Sequence, residues 1–103
     1  MTLKEFYEEL TKLDMDVILE EDLIRLWDKD KELQYCPITA VYTNKFHKYF
    51  SIVAWIEAAN RLHLDYKDAV QIVAASDSRN PANEAIRNIK NELLWRLTHA
   101  IRS

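Results

Sequence analysis

The sequence predicts an all-α fold, a compact bundle-like domain of about five helices. Three observations lead to this prediction. Glycine is absent from the 103 residues, although average usage of about 7% would supply roughly seven. Apolar residues recur at three- and four-residue steps, and the segments that carry them are joined by short connections. With 49% hydrophobic and 30% charged residues, the chain fits one helical domain over residues 1–103 with its own core.

The absence of glycine also narrows the function. Glycine is used where the backbone must take a positive φ or approach a ligand closely. Its absence argues against phosphate-binding loops, dinucleotide-binding turns, nucleophile elbows and tight two-residue hairpins. A helical protein is affected least, because asparagine can end a helix in place of glycine.

The first two helices are predicted over residues 3–13 and 19–31. Thr2 is expected to cap the first, and Glu5 three residues later completes a capping box. The second begins with acidic residues and ends with lysines, as the helix dipole favours. Its buried side is predicted to hold Leu19, Leu23, Leu26 and Trp27.

The middle of the chain is predicted to continue as helices. A short helical turn is expected near residues 37–43, because proline is well tolerated in the first turn of a helix. Longer helices follow over residues 47–63 and 66–76, and Asp65 is expected to cap the second of these.

The last helix is predicted over residues 81–102. Asn80 is expected to cap it and Pro81 to take its first position. Its apolar stripe is Ile86, Ile89, Leu93, Leu97 and Ile101.

Cys36 and His47 are the residues that come nearest to a catalytic pair. Such a pair needs hydrogen-bond contact and a stabilised thiolate, but a single cysteine more often acts as a small buried hydrophobe. The three histidines have no helical i, i+4 partner among themselves, which argues against a metal site. The sequence therefore predicts a non-enzymatic protein with no catalytic residue, no metal and no cofactor.

Charge is unevenly distributed along the chain. Residues 1–33 carry eleven acidic and five basic side chains, and residues 34–103 carry six acidic and nine basic ones. Such charges usually form solvated helix faces; as a functional feature, the acidic third would suit a basic partner or charge pairing between two copies of the chain. No apolar run approaches the ~20 residues of a membrane span, and the start of the chain lacks a signal-peptide pattern. We therefore expect a cytoplasmic location without membrane contact.

Residues 56–73 are typical of a helix-turn-helix, with small and apolar side chains where two helices would cross. His63 stands where such turns usually carry glycine. If this segment bound nucleic acid, its contacts would come from Arg61, Tyr66, Lys67 and Gln71. Acidic residues at the start of the helix predicted over residues 66–76 weaken that hypothesis, since phosphate contacts come mainly from lysine and arginine.

Aromatic residues are dense between positions 35 and 55; large side chains can fill the core of a small glycine-free bundle, and they are also enriched at binding hot spots. The last helix is apolar on more than one side, which favours either a central position in the fold or a dimer interface. The leading prediction is a small protein-interaction module, either a homodimer or an adaptor or inhibitor of another protein. The residues predicted to bind the partner are Tyr42, Phe46, Tyr49 and Trp95.

Overall fold

The computed structural model describes residues 1–20, 23–48 and 55–102, of which residues 100–102 are described by backbone alone. Helix α1 comes first, a three-stranded antiparallel sheet follows, and further helices complete the described chain. The bounds are α1 Leu3–Leu10, β1 Asp16–Glu20, β2 Leu23–Asp28, β3 Leu33–Tyr35, α2 Pro37–Phe46, α3 Trp55–Arg61, α4 Tyr66–Asp77 and α5 Glu84–Arg102. The all-α prediction is therefore wrong: the fold is α+β.

The helix predicted over residues 19–31 is a β-hairpin. Strand β1 pairs with β2 in antiparallel register, from Asp16 opposite Trp27 to Glu20 opposite Leu23. Ile24 and Leu26 are buried, whereas the residues that alternate with them are half-buried. This two-residue period belongs to a strand with one face on the core, and over so few residues it was mistaken for a helical stripe.

The strands of the sheet are joined by short connections that contain no glycine. Only positions 21 and 22 separate β1 from β2, so the expectation that a glycine-free chain avoids short hairpin connections is also wrong. Between β2 and β3, the Asp28 carboxylate accepts hydrogen bonds from the backbone N–H groups of Asp30 and Lys31 at 3.0 and 3.3 Å. Glu32 then takes a left-handed conformation with φ 53°. Aspartate side-chain bonding and one left-handed residue replace the glycine of a typical loop.

Four predicted helices exist with altered bounds. Helix α1 has the predicted capping box between Thr2 and Glu5 but ends at Leu10, and the turn near 37–43 extends into a ten-residue helix. Helix α4 matches its prediction within one residue. Helix α5 begins at Glu84 rather than at 81, because Asn83 caps it by accepting from the N–H groups of Ala85 and Ile86.

The helix predicted over residues 47–63 does not begin at 47. His47 closes α2 in a left-handed conformation, with φ 55° and ψ 35°, the geometry that ends many helices. The described part of the later helix is Trp55–Arg61. Residues 49–54 lie outside the described residues.

The core lies between the sheet and the helices. Helix α4 packs against α5, α2 and strand β2, and α2 contacts both β2 and β3, while α1 closes the core against α2 and α5. The largest fully buried side chains are Phe6, Leu10, Ile24, Leu26, Ile38, Ile72 and Leu93. None of the helices in the described ranges combines the length and apolarity needed to cross a bilayer.

Candidate functional site

An open groove of about 880 Å³ lies between α2 and α3. We call it the α2–α3 groove. Its lining residues come from the second half of α2, from α3 and from the positions that follow each helix. They are Tyr42, Phe46, Lys48, Glu57, Asn60, Arg61 and His63.

Two aromatic rings form the apolar side of the groove. Tyr42 and Phe46 are four residues apart on α2, so their side chains share one face of the helix. Their ring centroids are 5.0 Å apart with the planes tilted by 43°, within the range of favourable aromatic pairs. Tyr42 is almost fully buried, whereas Phe46 is 42% exposed. Phe46 therefore presents apolar surface to anything that enters the groove.

The opposite side of the groove is polar and comes from one face of α3. Glu57 and Arg61 are four residues apart, and the Arg61 guanidinium donates to the Glu57 carboxylate at 3.0 Å. This hydrogen bond, followed by the interaction with the Tyr42 hydroxyl, raises the pKa of Arg61 above its usual value. Arg61 thus links the polar side of the groove to its aromatic side.

Charge in the groove is weakly positive. Lys48 and Arg61 contribute two positive charges against the single negative charge of Glu57. The groove therefore suits an acidic ligand with an apolar anchor better than a basic one.

The structure brings together some of the predicted partner-binding residues and separates others. Tyr42 and Phe46 lie side by side in the α2–α3 groove, but Tyr49 is outside the described residues. Trp95 is on α5 and does not line the groove; it is 51% exposed, stacks on His99 with centroids 4.0 Å apart, and lies 5.1 Å from the Arg96 guanidinium.

The residues proposed for nucleic-acid contact do not form a continuous positive surface. Arg61 is paired with Glu57. Lys67 stands between Asp65 and Asp68 at the start of α4, where the Asp65 carboxylate accepts from the Lys67 backbone N–H at 2.8 Å. Tyr66 is 63% exposed and stacks on Trp55 at 6.4 Å. Gln71 is half-buried.

A short turn that contains His63 joins α3 to α4. His63 takes φ 56°, the left-handed conformation that glycine usually supplies in such turns. Histidine is one of the residues that adopt it more often than most. Ala58, Ala59 and Ala69 are buried where the two helices meet, as a close helix crossing requires.

Cys36 and His47 are held apart by α2. Cys36 precedes its first residue and His47 follows its last, so a rise of 1.5 Å per residue separates them by roughly 16 Å. The Cys36 sulfur lies 3.2 Å from the Thr39 hydroxyl oxygen. Over the ranges that the structure describes, no group of three or more His, Cys, Asp or Glu residues is arranged to hold a metal ion.

Sequence reasoning named Arg61 only for nucleic-acid contact and missed Glu57 and Asn60 on the α3 side of the groove. The signal was the spacing of Glu57, Asn60 and Arg61, which places three polar side chains on one face of a helix. Lys48 and His63 gave no such signal, because they follow helix ends and are brought to the groove by tertiary structure alone.

Comparison with protein-family models, with curated proteins and with solved structures found no match to this chain.

Proposed function

We propose that this protein is a non-catalytic interaction module that binds an acidic segment of another protein in the α2–α3 groove. The observation that carries the proposal is the exposed ring of Phe46 beside the cations of the groove. An apolar side chain of the partner would cover Phe46, and flanking carboxylates would meet Lys48 and Arg61. Aromatic and arginine side chains in such arrangements supply much of the energy at protein interfaces.

The predicted homodimer is a special case of this proposal. Residues 1–33 carry a net charge of −6 from eleven acids and five bases, so a second copy could offer the acidic segment. A groove filled by a second copy predicts that Phe46→Ala disrupts the dimer, which sedimentation velocity would measure. The homodimer stays a prediction, and so does the cytoplasmic location.

A labelled acidic peptide with one central leucine or phenylalanine tests the groove directly. Fluorescence anisotropy is expected to show binding that weakens at least tenfold in Phe46→Ala, because truncating a central anchor costs more than about 1.4 kcal/mol. Lys48→Gln should weaken binding by a smaller factor, because an exposed ion pair contributes at most about 1 kcal/mol. Trp95→Ala is the matched control, since it removes an exposed aromatic residue outside the groove. Equal affinity in Phe46→Ala and the wild-type protein would overturn the proposal.

Nucleic-acid binding is the second candidate, and the corner geometry at His63 is the observation that favours it. It predicts binding to a short DNA duplex that weakens steeply with salt and is lost in Lys67→Gln. The groove proposal predicts no effect of Lys67→Gln on peptide binding. The acids Asp65 and Asp68, which flank Lys67 at the start of α4, make protein binding the better supported function.

A further inference from the structure

Among the residues that the structure describes, no strand pairs with the outer edge of β1. The sheet has the order β1-β2-β3, so β1 pairs with β2 on one side only. In an antiparallel pair, alternate residues direct their N–H and C=O groups away from the partner strand. Among the described residues, none donates to or accepts from that outward side of β1. Unpaired edges of this kind accept an additional strand.

The side chains of β1 give this edge an apolar centre with acidic ends. Val17 and Leu19 lie on the face that carries buried Leu26 and Ile24, their cross-strand partners. Leu19 is nevertheless 54% exposed, and among the described residues no strand lies beyond it. Ile18 is half-buried on the opposite face, between the exposed acids Asp16 and Glu20.

The acidic residues of β1 determine which kind of strand can pair with its outer edge. Arg25 stands directly opposite Ile18 on β2 but is engaged with Asp77 at 2.6 Å. An incoming antiparallel strand with lysine opposite Asp16 and Glu20 forms two favourable cross-strand pairs. Two copies pairing through β1 about Ile18 would instead set Asp16 against Glu20 twice. Like charges directly opposite are destabilising.

We propose that the β1 edge binds an extended basic segment of a partner protein by strand addition. The segment alternates so that lysine or arginine faces the two acids and apolar residues lie opposite Val17 and Leu19. This surface is distinct from the α2–α3 groove and takes a ligand of opposite charge. The inference therefore does not depend on the proposed function.

The test uses a labelled peptide with the five-residue centre Lys-Val-Thr-Val-Lys and its analogue with both lysines replaced by glutamate. We expect the lysine peptide to bind about tenfold or more tightly, because two attractive pairs become repulsive. Binding should shift the backbone amide resonances of residues 16–20. Asp16→Asn combined with Glu20→Gln should remove the preference, whereas Asp30→Asn with Glu32→Gln, the same charge change in the neighbouring loop, should leave it.

Backbone pairing is tested by two versions of the lysine peptide that are N-methylated on alternate residues. In one version the methyl groups lie along one edge of the extended peptide, and in the other version they lie along the opposite edge. A strand that pairs through one edge tolerates methyl groups on its other edge, so only one of the two peptides is expected to bind. The proposal would be overturned if both methylated peptides bound equally well or if the unmethylated lysine peptide did not bind at all. Amide shifts located outside β1 would also overturn it. So would concentration-dependent shifts of residues 16–20 in the protein alone, since a second copy would then occupy the edge.

Discussion

The Arg25 guanidinium lies 2.6 Å from the Asp77 carboxylate and joins strand β2 to the last residue of α4. The two residues are 52 positions apart in the chain. Their pairing fixes the end of a central helix against the sheet that sequence reasoning did not foresee. Both side chains are partly exposed, at 31% for Arg25 and 47% for Asp77, so solvent screens the attraction.

A double-mutant cycle of Arg25→Gln and Asp77→Asn measures this pair. We expect a coupling of roughly 0.5 kcal/mol in the free energy of unfolding, as partly exposed ion pairs give. The coupling should shrink when salt is raised, since screening acts on exposed charges. Chemical denaturation of the four proteins measures it, and a coupling that is unchanged in 1 M salt would contradict a screened ion pair.

Lys90 makes a second contact with the end of α4. Its ammonium group is buried, with the residue 6% exposed, and it donates to the backbone carbonyl of Ser78, the C-cap residue. Lys90→Met keeps the apolar stem but leaves that carbonyl without its donor. We expect the free energy of unfolding to fall by about 1–2 kcal/mol, because hydrogen bonds from charged groups contribute at this level. Exposed Lys12→Met is the control; a Lys90→Met protein as stable as the wild type would show that the bond contributes nothing net.

The raised pKa of the Tyr7 phenol leads us to expect a loss of stability at alkaline pH. Burial, followed by the nearby charges of Glu92 and Asp68, raises the pKa of Tyr7 to about 12. The ordinary value is 10, so the folded state favours the neutral phenol. The resulting stabilisation is complete below pH 10 and is lost as the pH rises towards 12, by about 2 kcal/mol at most. Urea unfolding between pH 9 and pH 12 should show this fall in the wild type and a smaller one in Tyr7→Phe; parallel curves would contradict it.

Replacing Thr43 with an apolar residue of the same shape is expected to stabilise the protein. The Thr43 side chain is buried in α2, at 5% exposure, and its hydroxyl oxygen has no hydrogen-bond partner among the described residues. Thr43→Val keeps the branched shape and removes the unsatisfied group. We expect the melting temperature to rise, with a gain of about 1 kcal/mol. Thr43→Ser, which keeps the hydroxyl, should not show the gain, and a destabilised Thr43→Val protein would imply a bonded hydroxyl.

His63 tests the left-handed corner between α3 and α4. A β-branched residue is rarely tolerated at positive φ, so His63→Val should lower the free energy of unfolding by about 1–2 kcal/mol. His63→Asn, which enters this conformation readily, should be close to neutral. Thermal unfolding of both variants decides the point. Equal stability of the two would mean that the corner relaxes away from φ 56°.

Capping residues explain which helices could be predicted. Thr2 with Glu5 and Asp65 before α4 carry their own start signals, and both helices begin where those signals place them. The start of α5 was misplaced because Asn80 and Asn83 are equally good caps by residue type. The structure distinguishes them, since the Asn83 side chain accepts from the first turn of α5.

The hairpin could not be recognised with the same rules. Leu19, Leu23 and Leu26 recur at helical spacing, and the two-residue period of Ile24 and Leu26 is too short to outweigh them. Burial of these strands depends on α4 and α2, which come later in the chain. For the site, the spacing of Tyr42 and Phe46 was readable from sequence. The approach of Lys48 and His63 was not, because it depends on where two helices end.

Every residue of this chain carries a Cβ atom, and the left-handed positions of Glu32, His47 and His63 show what that costs in the native state, about 1–2 kcal/mol each. The same property acts on the denatured chain. Without glycine, each residue has fewer backbone conformations to lose, which is worth about 0.4–1 kcal/mol per glycine avoided. Strain at these three described positions is thus offset by a denatured ensemble that is narrower along the whole sequence, and a glycine at any of them would relieve that strain.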